Sequence, residues 1–98
     1  MHYHFEWDSV KAKANKLKHG VSFEEAAEIF LDPLQLSIPD NNHNGSEERW
    51  ITLGHTQSQH LRLVVHTFVS YQHEQVNIRI ISARPATRHE QKNYESEL

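Results

Sequence analysis

The chain contains no cysteine. This excludes a disulfide framework and any thiolate metal site, and it fits a reducing compartment. Three prolines and three glycines leave no room for a low-complexity linker. No apolar run is long enough to span a bilayer. The opening residues, M-H-Y-H-F-E-W-D, lack the apolar core of a signal peptide. Arginine is missing from the first half altogether: the first one is Arg49. The expectation is a soluble cytoplasmic protein of one domain, residues 1–98, with a core of modest size.

The net charge of −3 conceals an asymmetry. Residues 1–48 carry four lysines against nine acids, whereas residues 49–98 carry five arginines and one lysine against four acids. A near-neutral total of this kind is compatible with charge scatter on a small domain and also with a basic face for a polyanion. Nine histidines raise the question of a metal. His2 and His4 could share a strand face, but no Asp or Glu completes a site at a known ligand spacing. His66 lies within an apolar run and reads as a hydrogen-bonded core histidine.

Aromatic residues alternate at Tyr3, Phe5 and Trp7, which predicts a short strand with one apolar face. Asp8 or Ser9 caps a helix in which Val10, Ala14 and Leu17 are expected to form the buried stripe, while Lys11, Asn15 and Lys18 form a polar face. Gly20 supplies the left-handed residue that ends it. Ser22-Phe23-Glu24-Glu25 has capping-box spacing, and Phe23, Ala26, Ala27, Phe30 and Leu31 make the apolar face of a second helix, stopped at Asp32-Pro33. Strands are expected over Leu34–Pro39 at an edge, Glu48–Thr56, Leu61–Val69 at the centre of the sheet, and Val76–Arg84. Asp40–Glu47 reads as a loop and Tyr71–Gln75 as a turn. The order is β-α-α-β-β-β-β-α, an α+β domain with a mostly antiparallel sheet, two N-terminal helices and a C-terminal helix, the helices packed on one face.

The stretch from Val76 to Tyr94 organises the rest. Its strand should stop at Arg84, before Pro85. Thr87-Arg88-His89-Glu90 has capping-box spacing and opens a polar helix reaching about Glu97. Arg79, Arg84 and Arg88 cluster where strand becomes helix. Arginine is costly to bury and suits bidentate phosphate or carboxylate contacts, so the cluster is either a structural ion-pair node or an anion site. Arg79 and Arg84 are five residues apart and face opposite sides of a regular strand, unless a bulge re-aims one of them. One of the pair could then be a structural partner of Glu48 or Glu90.

Taken with these elements, the chain resembles the BrnT toxins of type II toxin–antitoxin systems, a branch of the RelE-like ribonucleases. The motifs that carry the resemblance run in order along the chain: Phe5-Glu6-Trp7-Asp8, Asn15, Lys18 to Ala26, Asp32-Pro33, Glu48 to Gly54, Val64-Val65-His66-Thr67, Arg79 to Glu90, and Tyr94. The resemblance implies a RelE-like fold and a small cytoplasmic bacterial toxin that cleaves RNA without metal or other cofactor. It also implies a BrnA-type antitoxin, whose DNA-binding part brings the complex to operator DNA, and it implies no membrane. Two other readings stay open: an inactive binding module that keeps the antitoxin surface, or a nucleic-acid-binding regulator.

Metal-free RNA cleavage uses the 2′-hydroxyl as nucleophile, a base and an acid for proton transfer, and cations for the phosphorane. The candidate cations are Lys18, Arg79, Arg84 and Arg88. The candidates for proton transfer are His19, Glu48 and Tyr94. Lys11, Arg49 and Ser82 are candidates for holding the RNA strand. The antitoxin is expected to occlude the surface around Lys18, His19 and the arginines.

Overall fold

The computed structural model describes residues 2–41, 48–70 and 72–96. Most of the expected loop after Asp40, Tyr71 in the expected turn and the expected helix end at Glu97 lie outside the described residues. The elements are β1 (His2–Glu6), α1 (Ser9–His19), α2 (Phe23–Ala27), a 3-10 turn (Glu28–Leu31), β2 (Leu36–Pro39), β3 (Arg49–His55), β4 (Leu61–Ser70), a second 3-10 turn (Gln72–Glu74), β5 (Gln75–Pro85) and α3 (Arg88–Ser96). The sheet order is β1-β5-β4-β3-β2, with β4 at the centre and β2 at an edge. All neighbours are antiparallel except β1 and β5. The order of elements is the one read from the sequence. No helix among the described residues is long and apolar enough to cross a membrane.

Local chemistry sets the ends of these elements. The Asp8 carboxylate accepts from the backbone N–H groups of Val10 and Lys11 at the start of α1. Gly20 closes that helix with a φ of 74°, where a side chain would be strained. Ser22 caps α2 by accepting the Glu25 N–H at 3.0 Å. Glu25 turns its own carboxylate to Arg62 on β4, at 2.8 Å. β5 runs one residue beyond the expected end: Pro85 is still in register with Arg62. As the terminal residue, it is placed where a missing N–H is tolerated.

The core lies between one sheet face and α2 with its following 3-10 turn. It holds Val21, Phe23, Ala26, Ile29 and Phe30 against Val64, Val76, Ile78, Ile80 and Ala83. Tyr3, Phe5 and Phe30 pack as tilted aromatic rings, and Trp7 meets Phe23 edge-on. His66 is a core histidine, as expected. One ring nitrogen meets the Thr52 hydroxyl at 2.6 Å, the other the Thr67 carbonyl at 3.0 Å, and its ring stands edge-on to Phe30.

Three expectations about packing need correction. Val10, Ala14 and Leu17 are not buried: Val10 is 74% exposed and Leu17 90% exposed, and Ala14 is also exposed. The inward face of α1 is Ala12, Asn15 and His19, with Asn15 buried. In the second helix Leu31 is exposed and Ile29 is buried, because the tighter 3-10 winding after Ala27 shifts the inward positions. The helices do not all sit on one sheet face either. α3 reaches Arg84 and His55, which face away from the α2 core.

Asn15 is buried for a specific reason. β1 pairs with β5 only from Gln75 to Arg79, so the β5 edge beyond Arg79 loses its strand partner. Asn15 takes that place at Ala83. Its Oδ1 accepts the Ala83 N–H at 3.1 Å, and its Nδ2 donates to the Ala83 carbonyl at 2.9 Å and to the Val21 carbonyl at 3.0 Å. One side-chain amide thus satisfies three buried backbone groups and ties α1 and the turn after it to the sheet.

A second anchor holds α3. Thr87 and Glu90 form the expected capping box: the Thr87 hydroxyl accepts the Glu90 N–H, and Glu90 accepts the Thr87 N–H. The same carboxylate receives a two-pronged contact from Arg84, 2.8 Å on each branch. The Arg84 hydrogen bonds, outweighing the opposing effect of burial, hold the Glu90 carboxyl at about 2. At the far end, Tyr94 donates to Asp32 at 2.6 Å and stacks edge-on against His55.

Two outcomes follow for stability. Asn15→Ala removes the partner of three buried backbone groups and is expected to cost roughly 2–4 kcal/mol in urea unfolding. A loss below about 1 kcal/mol would mean that the β5 edge does not depend on this amide. For Glu90, the folded carboxyl titrates below its ordinary value of 4.5. Its contribution is therefore complete above that value and is lost as pH falls toward about 2. Glu90→Gln should flatten the acid limb of the stability–pH curve in that window, as measured by thermal melts against wild type.

Candidate functional site

The two sheet faces differ in chemistry. Cross-strand partners share a face, so the register assigns each side chain. Arg49 is opposite Thr67, Thr67 is opposite Arg79, and Arg79 is opposite Glu6, forming one row across four strands. The next row holds Ile51, Val65 and Ser82, and the one after it Leu53, Leu63 and Arg84. All three rows lie on the face away from α2.

A bulge makes this arrangement possible. Val65 is in register with Ser82, but His66 is in register with Ile80, so Ile81 is an extra residue. The extra residue shifts the side-chain alternation by one. Arg79 and Arg84, odd in spacing, therefore come to the same face. The regular-strand expectation of opposite faces is corrected by this one insertion.

Shared orientation does not make the two arginines equivalent. Arg84 is held by Glu90 through both branches, and this carboxylate raises its pKa further. It is a structural ion-pair node. Arg79 instead lines a cleft of about 490 Å³ with Lys11, Arg49, Asp8, Ile80 and Ile81. The Arg49 Nε is buried there without a hydrogen-bond partner among the described residues. Asp8 is the acid of this cleft, but its carboxylate is committed to the α1 N-terminus, whose N–H groups hold its pKa low. The arrangement concentrates three cationic side chains from α1, β3 and β5 in one concavity, which suits a phosphate.

The remaining candidates fall outside this cleft. Asn15 bonds Ala83 while Lys11 lies beside Ile80 and Ile81, so α1 runs alongside β5 in the same sense. Lys18 and His19 are therefore carried toward Pro85, Lys18 being roughly 10 Å along the helix from Lys11. Arg88 is exposed as the first residue of α3. Glu48 is exposed immediately before Arg49, at the cleft end of β3. Ser82 stands on the cleft face, one row from Arg79.

Tyr94 is placed far from the role expected of it. It is 2% exposed, and burial together with the bond to Asp32 pushes its hydroxyl up to about 12. Burial also disfavours the Asp32 charge, but the His55 N–H, the Tyr94 hydroxyl and the Leu34 N–H outweigh it, so the carboxylate stays ionised below its usual range. Gly54 completes this node. A Cβ there would stand 3.1 Å from both Cβ and the carbonyl oxygen of Ile29. Asp32, Gly54 and Tyr94 are thus a packing unit. Two residues here were not among the site candidates: Asp8, which lines the cleft, and Thr67, buried between the two arginines of its row. The signal for Thr67 was strand register, which a single sequence leaves undetermined.

A larger groove of about 710 Å³ runs beside β1, but its charged lining is Glu24 and Glu28, with no lysine or arginine. It is unsuited to a polyanion. Among the described residues, no three His, Asp or Glu side chains are grouped to hold a metal ion.

Comparison with known proteins agrees with the fold. Among curated proteins no relative matches the chain. Among solved structures it is similar to the Brucella abortus ribonuclease toxin BrnT, with 22% identity and a TM-score of 0.65, over 90% of this chain and all of that one. At that identity the likeness speaks for the fold. The sequence profile described as "Ribonuclease toxin, BrnT, of type II toxin-antitoxin system" matches residues 7–90. That span includes the helix cap, the Asn15 bridge, the arginine row and the Arg84–Glu90 pair, and the chain belongs to the BrnT family of ribonuclease toxins.

Proposed function

We propose that the chain is a cytoplasmic endoribonuclease that cleaves RNA without metal, arrests translation and growth, and is held inactive by a BrnA-type antitoxin. The observation that carries this reading is the cleft where Lys11, Arg49 and Arg79 converge. A phosphate seated there meets three donors, and a buried guanidinium nitrogen without a hydrogen-bond partner among the described residues gains one. Family membership supports the ribonuclease class.

In this reading the 2′-hydroxyl attacks the neighbouring phosphorus, and the bond to the 5′-oxygen breaks. Arg49 and Arg79 stabilise the charge that accumulates on the phosphorane, in a site walled by Ile80 and Ile81. Lys11 holds the adjacent strand. Glu48, next to Arg49, is the candidate to take the 2′ proton. His19, farther along α1, is the candidate to give the departing 5′-oxygen its proton, and Lys18 and exposed Arg88 face the outgoing strand. Arg84 and Tyr94 act by holding α3 in place, and Ser82 contributes a hydroxyl between the two regions. The antitoxin complex, rather than the toxin alone, reaches operator DNA.

Arg79→Ala and Arg49→Ala are each expected to lower the rate of RNA cleavage by roughly 10²–10³ while leaving the melting curve intact. Arg84→Ala should act differently, lowering thermal stability first. If the folded Arg79 and Arg49 variants cleave at the wild-type rate, the cleft is not the site. Cleavage by the wild-type chain should also persist in excess chelator. Activity that is lost there and restored by one divalent ion would transfer the chemistry to a metal.

A further inference from the structure

Helix α1 carries its apolar stripe on the side facing away from the core. At 100° per residue, Val10, Ala14 and Leu17 fall within one narrow sector, opposite the buried sector of Ala12, Asn15 and His19. Val10 is 74% and Leu17 90% exposed. Lys13 flanks the stripe on one side, with Lys11 and Lys18 on the other. With Lys16, the helix has four lysines and no acid. It is the most basic segment of an otherwise acidic first half.

These features narrow the occupant. A second copy in a symmetric contact would set lysines against lysines, which is unfavourable. RNA would use the lysines but offers no apolar ridge to Val10 and Leu17. The stripe instead asks for a helix or extended segment with an apolar ridge and carboxylates on both sides. We propose that α1 is the seat of the antitoxin, taken by an acidic amphipathic segment whose apolar ridge covers Val10, Ala14 and Leu17. The proposal rests on the reading of this chain as an antitoxin-bound toxin. Lys11 belongs to both surfaces: it borders the stripe and lines the cleft. A segment on α1 therefore places its carboxylates at the cleft rim, where they compete with phosphate.

The test uses the full chain and the antitoxin encoded with it, with affinity measured by calorimetry and RNA cleavage measured on the free toxin. Leu17→Glu is expected to weaken the complex tenfold or more, and Val10→Ser and Lys13→Glu severalfold, with the wild-type affinity falling as salt rises. Free-toxin cleavage and melting temperature should stay unchanged in all three. An unaltered affinity in Leu17→Glu overturns the proposal. So does a loss of free-toxin cleavage in that variant, which would assign the stripe to the RNA interface. A free wild-type dimer abolished by Leu17→Glu overturns it too, by making the stripe a self-contact. If the free chain cleaves no RNA but Leu17→Glu still breaks the complex, the docking stands and the ribonuclease reading fails. If the wild-type chain does not bind the antitoxin, the docking fails and RNA cleavage is judged alone.

Discussion

The hydrogen bonds of one buried amide hold the working parts of this molecule in register. Asn15 bridges the first helix to the β5 edge at the point where β1 no longer covers it. Without that bridge, Ala83 would present an unpaired donor and acceptor in the interior, at a cost comparable to a lost hydrogen bond for each. With it, α1 is fixed alongside β5, and Lys11 is set against Arg79. The position of a cation in the cleft is therefore a consequence of a neutral contact one turn away.

The bulge at Ile81 has the complementary effect on the sheet. It places both arginines of β5 on one face and then leaves them with different partners. Arg84 meets a carboxylate that is fixed by its own capping box, which makes the ion pair costly to open. Arg79 meets a row containing Glu6, Thr67 and Arg49. Two like residues on one strand thus have different surroundings, one fixed to the C-terminal helix and one in a cleft that it shares with Lys11 and Arg49.

Much of this was legible in the residues. The capping chemistry of Asp8, Ser22 and Thr87, the stop at Gly20 and the central apolar strand are local signals, and each appears where local physics puts it. The arginine cluster was legible as a choice between an ion-pair node and an anion site; Arg84 is paired with Glu90, and Arg79 lines the cleft with Lys11 and Arg49. What could not be read depends on tertiary context. The Val10–Leu17 stripe obeys helical spacing, yet the buried face was chosen by one polar residue whose partners lie 68 positions along the chain. Periodicity ranks Asn15 as surface because it carries no information about an unpaired strand edge. Tyr94 was likewise readable as a reactive hydroxyl, until burial and Asp32 made it a tether.

The parallel pairing of β1 with β5 sets the order in which the domain can close. β1 has no sheet partner until residues 75–79 exist. Contacts this distant in sequence slow folding, since a long loop must be closed before they are gained. Arg49 is complete early, but Arg79 joins it only with the last strand. A nascent chain therefore carries no assembled cation cleft until the residues of β5 have been made.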